Sequence, residues 1–357
     1  MFKKGLVLVL ALVMVLTMFT GCAKPAPAPA PEATPAPEAT QAPTEAPKPA
    51  LSFGMITDVG GLGDKSFNDS AWEGLQKAGK ELGVEPVILQ STKQEDYEAN
   101  IGNMAQSVDL SIAVGFLMEQ AMKAGSEQYA DKKFGIIDTV VPTPNVMSVT
   151  FKEHEGSFLV GVIAGLTTKS NVVGFVGGMD FPLIKKFEVG FRAGVASVNP
   201  KAKVLVNYTG AFDNPDKGKE IALAQNKQKA DVIYHASGAC GIGVIQAADE
   251  KDFWAIGVDQ DQAAVSKNNK VLCSMIKRVD VGTYTIIKAY ADNKFEGGKA
   301  VELGLKEDGV GYSDNGNNVT AELKATADKA KELVVNGTIV VPTTEDELKA
   351  FKPVEIK

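Results

Sequence analysis

The sequence predicts an α/β protein of two similar lobes, each a parallel sheet flanked by helices. Three observations carry that expectation. From Leu51 onward, short apolar runs alternate with amphipathic stretches of about 10–15 residues, the rhythm of strand–helix–strand crossovers. The runs are continuous rather than alternating, as expected of strands covered by helices on both faces. The whole rhythm then restarts near Val146.

Taken in order, LSFGMIT is the first strand. A Gly-rich loop leads into SFNDSAWEGLQKAGKELG, an amphipathic helix. VEPVILQ reads as a strand and EDYEANIGNMAQSV as a helix. SVDLSIAVGF and KKFGIID are buried strands, with helical MEQAMKAGSEQYA between them. The second unit runs through VMSVTF, helical EGSFLVGVIAGLTTK, NVVGFVGG, a helix through FEVGFRAGVASV, and AKVLVNY. GKEIALAQNKQKA, DVIYHASG, IGVIQAADE and FWAIGVD complete it. After Gly297, VELGLKEDGVGYS and helix-like AELKATADKAKELVV return to one lobe or the other. Residues 51–151 plus about 278–300 are assigned to lobe 1, and 152–277 plus about 301–357 to lobe 2. Ligands of open parallel sheets bind beyond the strands' C-terminal ends, so the two lobes should share a cleft there.

The N-terminus has a different character. Lys3 and Lys4 precede an apolar stretch from Leu6 to Met18, and Phe19-Thr20-Gly21-Cys22 follows. The stretch is short for a membrane span and has the layout of a signal peptide, residues 1–21. Small residues directly before a Cys mark a lipoprotein cleavage site, with Cys22 as the lipidated residue. Phe19 stands where Leu is commoner. Acyl chains on Cys22 would anchor the protein to a membrane on its extracytoplasmic side. Residues 22–50 then form a Pro/Ala-rich tether without a large apolar side chain, which cannot make a core and favours extended polyproline II.

Charge and chemistry exclude several classes. The 357 residues carry a formal charge of −7, with 45% hydrophobic and 23% charged residues. No basic run is present, which argues against a nucleic-acid partner. GGLGDKS resembles a phosphate loop only superficially, because Asp64 separates Gly63 from Lys65. There is no GxSxG elbow, complete dinucleotide fingerprint or metal-ligand spacing, so no catalytic residue, metal or cofactor is assigned. His154 and His235 read as ordinary surface or packed residues. Cys240 and Cys273 are compatible with one disulfide or with two thiols.

TDVGGLGDKSFNDSAWEGL resembles the start of the basic membrane protein (BMP) family of ABC-transporter substrate-binding lipoproteins, the family of the purine nucleoside receptor PnrA. Colinear matches follow in VTFKEHEGSFLVGVIAGL, VGFVGGMDFPLIKKFEVGFRAGV, GAFDNPDKGKEIAL, GACGIGVIQAA, AIGVDQDQ and SMIKRVDVGTY. The resemblance implies a type I periplasmic-binding-protein fold with lobes joined by a hinge. It further implies capture of a purine nucleoside, resembling guanosine, inosine or adenosine, for an ABC permease. A monomer is expected.

Residue by residue, Asp58 ends the first strand, where a carboxylate points into the cleft, and Gly60, Gly61 and Gly63 permit tight turning. Phe67 taken alone reads as a core anchor, as does Phe212 in the GAFDNP loop. The resemblance makes them opposite faces of an aromatic clamp. Asn68 offers a donor and an acceptor to a heteroaromatic edge. Asp138, ending KKFGIID, can accept two N–H bonds from a base, or it forms a helix cap or a hinge salt bridge. The resemblance places Asp259 on ribose hydroxyls, with Lys277 orienting it or touching the sugar, and Gly238 offering backbone N–H groups. Ser66 is a weaker candidate, and Trp72 reads as core. Riboflavin or a sugar is the alternative ligand, although a pentose needs no pair of clamping rings. An enzyme on the same architecture, or a nucleoside-sensing surface lipoprotein without transport, is the alternative class.

Overall fold

Two six-stranded sheets organise the residues that the computed structural model describes, 51–354 and 356. These lie within the compact unit Pro49–Lys357. The expected signal segment, Cys22 and the tether lie outside the described residues.

The first sheet gathers β1 (Phe53–Ile56), β2 (Val87–Leu89), β3 (Leu110–Val114), β4 (Lys133–Ile137) and β5 (Val146–Phe151). Helices α1 (Phe67–Leu82), α2 (Tyr97–Ser107) and α3 (Glu119–Gln128) link successive strands. β1 and β3 are buried at every residue, as their unbroken apolar runs predict. The chain then enters α4 (Glu153–Thr167) and builds the second sheet from β6 (Val172–Gly177), β7 (Lys203–Tyr208), β8 (Val232–Ala236), β9 (Trp254–Asp259) and β10 (Val271–Lys277). α5 (Pro182–Val198), α6 (Pro215–Lys227) and α7 (Cys240–Lys251) make the crossovers.

After β10 the chain returns to the first half as α8 (Val279–Ala291) and β11 (Ala300–Leu303). It then crosses again to β12 (Val310–Ser313), α9 (Ala321–Val335) and α10 (Glu345–Ala350). Strand orders are β11-β5-β4-β3-β1-β2 and β12-β10-β9-β8-β6-β7, the same arrangement twice. One edge departs from the expected all-parallel sheets: β12 pairs antiparallel with β10, because the chain enters the second sheet at the end where β10 leaves it, Val310 lying opposite Lys277. The return crossing, expected near residue 300, falls after Leu303, since β11 pairs with β5.

α8 is a helix that its own residues do not advertise. Val279, Val281, Thr283, Thr285, Ile286 and Ile287 are β-branched and lower its helix propensity. Packing overrides them. At Gly74 of α1, a Cβ would come within 2.2 Å of the Asp280 carbonyl, so only glycine lets α1 and α8 approach this closely. In the second half, Tyr234 of β8 packs between Phe175, edge-on, and Phe191, tilted, with ring centroids at 5.6 and 5.2 Å. Its hydroxyl meets Ser157 Oγ at 3.1 Å, so the buried phenol is satisfied.

Candidate ligand-binding cleft

The C-terminal ends of strands from both sheets face a single cavity of about 520 Å3 of free space, counting the part open to solvent at its mouth. All eight residues expected to bind ligand line it: Asp58, Phe67, Asn68, Asp138, Phe212, Gly238, Asp259 and Lys277.

The carboxylates occupy matching places. Asp138 directly follows β4 and Asp259 ends β9, and β4 and β9 are third in their respective sheets. Both have left-handed backbones, with φ of 74° and 67°. A non-glycine residue there is strained, and such strain collects at ligand sites. Here it turns each Asp out of its ladder at the strand's end. Asp58 and Asp259 are both held well above the usual carboxylate range, at about 6 and about 7. Burial is the main cause in each. Hydrogen bonds from Asn68 and the Gly60 amide partly offset it at Asp58; the positive charge of Lys277 and a hydrogen bond from Ser66 do so at Asp259.

Asn68 commits its amide to the protein. Nδ2 donates to Asp58 Oδ1 at 2.8 Å and to Asp64 Oδ2 at 3.1 Å, while Oδ1 accepts from the Asp58 amide at 3.3 Å. It therefore fixes Asp58 and keeps only a lone pair for another donor. Asp64 in turn accepts from the amides of Ser66, Asn68 and Asp69 at 2.9, 2.8 and 3.1 Å. These are the orphan N–H groups at the start of α1, the ones a phosphate loop would turn to its anion. The protein's own carboxylate already fills that cradle.

Lys277, expected to orient Asp259 or touch the sugar, makes its direct pair with Asp138, the salt bridge named above as that residue's alternative. Its ammonium lies 2.5 Å from Asp138 Oδ2 and 3.5 Å from Glu153 Oε1. It also lies over the rings of Phe67, Phe151 and Phe187, at 5.0, 5.2 and 5.4 Å from their centroids. Burial alone would push the ammonium toward neutrality, but Asp138, Glu153 and Asp259 outweigh it and raise its affinity for its proton. Asp259 takes its direct contact from Ser66 Oγ, reaching across from the first half. The neighbouring loop adds a second cross-contact: Gln262 Nε2 donates to the Lys65 carbonyl at 2.7 Å.

Aromatic rings line both sides. Phe212 rests on the backbone at Gly178, where a Cβ would sit 2.1 Å from its ring. Across the cleft its edge meets Phe116, at 6.2 Å and 83°, and Phe116 also touches Phe181 at 5.4 Å. Phe116, Phe187, Asp64 and Ser237 line the cavity without having been singled out as binding groups. Phe116 ends an apolar strand run and reads as part of it. Phe187 sits inside a helix whose apolar face is broad, and Ser237 is a small residue in a turn. Ser66 is fully buried, and Trp72 is packed half-buried against the core. Cys240 and Cys273 are both free, buried thiols. His154 is half-buried, and His235 is fully buried in β8 with Nε2 2.8 Å from Gln262 Oε1. Among the described residues no helix is long and apolar enough to cross a membrane.

Residues 52–345 match the family described as ABC transporter substrate-binding protein PnrA-like. The chain is 41% identical over 310 residues to a Listeria monocytogenes protein named CD4+ T-cell-stimulating antigen, covering 81% of this chain and 87% of that one. It is 38% identical over 319 residues to the ABC transporter nucleoside-binding protein BmpA of Lactococcus lactis, covering 83% and 90%. Among solved structures, an ABC transporter solute-binding protein from Aeropyrum pernix K1 superposes with a TM-score of 0.76 at 28% identity, over 84% of this chain and 96% of that one.

Proposed function

The chain belongs to the PnrA-like family of ABC transporter substrate-binding proteins, and from that footing we propose that its ligand is a purine nucleoside held between the two sheets. Its fold is that of the type I periplasmic binding proteins. It is an extracytoplasmic solute-binding protein and not an enzyme, since capture for transport is what the family does.

In this reading the base lies between Phe67 and Phe212, one ring from each half, using the face of Phe67 turned away from the Lys277 ammonium. Each stacking contact is worth roughly 1–3 kcal/mol. Asp138 gives Oδ2 to Lys277 but keeps Oδ1 buried and without a partner, a free acceptor for N–H groups on the base. Asp58, Asp259 and the Gly238 backbone take sugar hydroxyls, and Asn68 holds Asp58 in place. Lys277 sets the charge at the cleft floor. A ligand that touches both halves favours the closed form. That form docks on an ABC permease, while a lipid on Cys22 holds the monomer at the membrane.

One observation carries this choice of ligand. A single cavity joins aromatic faces from both halves to buried carboxylates, while the nearby helix-start amides are taken by Asp64. A flat, uncharged, hydroxyl-bearing molecule fits that chemistry; a phosphate ester does not. Thermal shift with inosine, guanosine, adenosine, riboflavin, ribose and inosine 5′-monophosphate tests it. At a ligand concentration of about 100 times Kd, the nucleosides should raise Tm by on the order of 5 °C. Stabilisation by riboflavin or ribose with none from any nucleoside would overturn the reading.

A further inference from the structure

Beyond the residues already assigned, the cavity is lined by a serine whose buried hydroxyl the protein itself does not use. Ser237 directly follows β8, is only 1% exposed and lines the cavity. Its Oγ is buried without a hydrogen-bond partner. Its backbone is committed, since its carbonyl accepts from the Cys240 amide at 3.1 Å as α7 begins. The side chain therefore stands on rigid backbone. Burying a hydroxyl with nothing to bond is unfavourable, and such groups in folded proteins call for an explanation. Gly238 beside it makes the tight approach, where a Cβ would meet the Phe212 carbonyl at 3.1 Å.

Its place narrows what it could bind. β8 and β9 are parallel neighbours, and the register pairs Tyr234 with Ile256. Continuing that register past the strand ends sets Ser237 opposite Asp259. Asp259 is held by Ser66 from the opposite half. An ionised carboxylate only accepts hydrogen bonds, whereas a serine hydroxyl donates and accepts. Both line the same cavity, and together they match a ligand hydroxyl, which gives its proton to the carboxylate and accepts one from the serine. A ring N–H could use the carboxylate but could not accept from Ser237.

We infer that Ser237 is a specificity-determining residue that bonds a sugar hydroxyl of the ligand next to Asp259. This rests on the nucleoside reading and deepens it: the protein distinguishes a nucleoside from its deoxy analogues partly through this side chain. Asp259 alone would hold the hydroxyl as a donor; Ser237 makes the site demand a group that is both donor and acceptor. A buried hydroxyl left without its partner disfavours the analogue more than a missing contact would.

The test is isothermal titration of the full chain and its S237A variant with inosine and with 2′-, 3′- and 5′-deoxyinosine. Wild type must first bind inosine. If it binds no purine nucleoside at all, the parent reading fails and this inference falls with it. Given binding, S237A should weaken inosine roughly 3- to 10-fold. For one of the three deoxy analogues it should change affinity less than 2-fold, because the hydroxyl it served is already missing. A purely structural role for Ser237 would weaken all four ligands by the same factor. Equal losses across the series, or no loss for inosine, would overturn the assignment. S237T, which keeps the hydroxyl, should retain the discrimination pattern even where added bulk lowers affinity throughout.

Discussion

Asp138, just past β4, and Lys277, at the end of β10, form a buried ion pair at 2.5 Å that ties the first sheet to the second across the floor of the cleft. Both are less than a tenth exposed, and Glu153, fully buried, stands at 3.5 Å from the same ammonium. Lys186 meets the other oxygen of Glu153 at 3.4 Å, so Lys277 serves Asp138 and shares Glu153 with Lys186 at the place where the chain passes between halves.

Removing that cation should be costly. Lys277→Met leaves Asp138 buried without its cation and Glu153 with Lys186 alone, and breaking such a pair costs about 3–5 kcal/mol. Urea denaturation should show this loss for K277M and a smaller one for D138N, which keeps a polar group beside the ammonium. The double variant should recover part of the K277M loss. Additive losses would mean that the two residues do not act as a pair.

Phe67, Phe116 and Phe212 should separate in ligand binding. Alanine at Phe67 or Phe212 removes a stacking face and should weaken a purine nucleoside by about 1–3 kcal/mol, or roughly 5- to 150-fold. Phe116 contacts Phe212 edge-on and Phe181 at the rim, so Phe116→Ala should act on closure and raise the dissociation rate more than it lowers the association rate. Stopped-flow fluorescence reads both rates. An association rate reduced by the same factor as affinity would count against a closure role.

How much of this was legible in sequence follows from where each signal resides. Asp58, Asp138 and Asp259 were visible because an Asp closing an apolar run is a local pattern, and the fold class makes strand ends the cleft. A salt bridge at Asp138 was visible only as an alternative with no partner named, because Lys277 lies 139 residues away and nothing local links them. The occupation of Asn68 by Asp64 and Asp58 also escaped, since an amide's free valences depend on the loop's path. α8 was hidden by its β-branched residues and is explained only by the α1 surface it covers. Phe116 reads as the tail of a strand run until the second half closes over it.

Nucleoside affinity should rise with pH between about 5 and 8. Asp58 and Asp259, at about 6 and about 7 in the folded protein, hold protons there that an unperturbed carboxylate would have lost. Ligand hydroxyls that donate to these groups favour the ionised form, so binding releases protons and is strengthened as pH climbs through both values. Lys277, Asp138 and Asp64 are the charged groups that share the cavity. Titration calorimetry in buffers of different ionisation enthalpy should detect proton release near pH 6. Unfolding stability is a poorer reporter. The two raised carboxylates make stability fall as pH rises from about 4 toward 7, because the native state binds more protons than the unfolded one. His154 and His235, both lowered to about 4 chiefly by burial, bind fewer protons when folded and make stability rise from about 4 to 6.5. The two trends oppose each other. Affinity that is flat or declines over pH 5 to 8 would contradict the assigned roles of Asp58 and Asp259.

The cross-contact from Gln262 gives the closed form a directional latch. Gln262 Oε1 accepts from the Val258 amide at 3.0 Å, so its oxygen points into its own half and its Nε2 faces the Lys65 carbonyl. An oxygen that cannot donate also requires His235 to carry its proton on Nε2, which leaves Nδ1 bare, in keeping with that atom's lack of a partner. Gln262→Glu keeps the acceptor for Val258 and His235 but turns a second oxygen toward the Lys65 carbonyl, replacing an attraction across the cleft with a repulsion. The empty variant should be more open, with a larger radius of gyration by solution X-ray scattering, and should bind ligand about tenfold more weakly, near the 1.4 kcal/mol expected for losing one buried bond between the halves. Ser66→Ala, which frees Asp259 from the same loop, should shift scattering in the same direction. Unchanged scattering and affinity in both variants would show that these two contacts follow closure without favouring it.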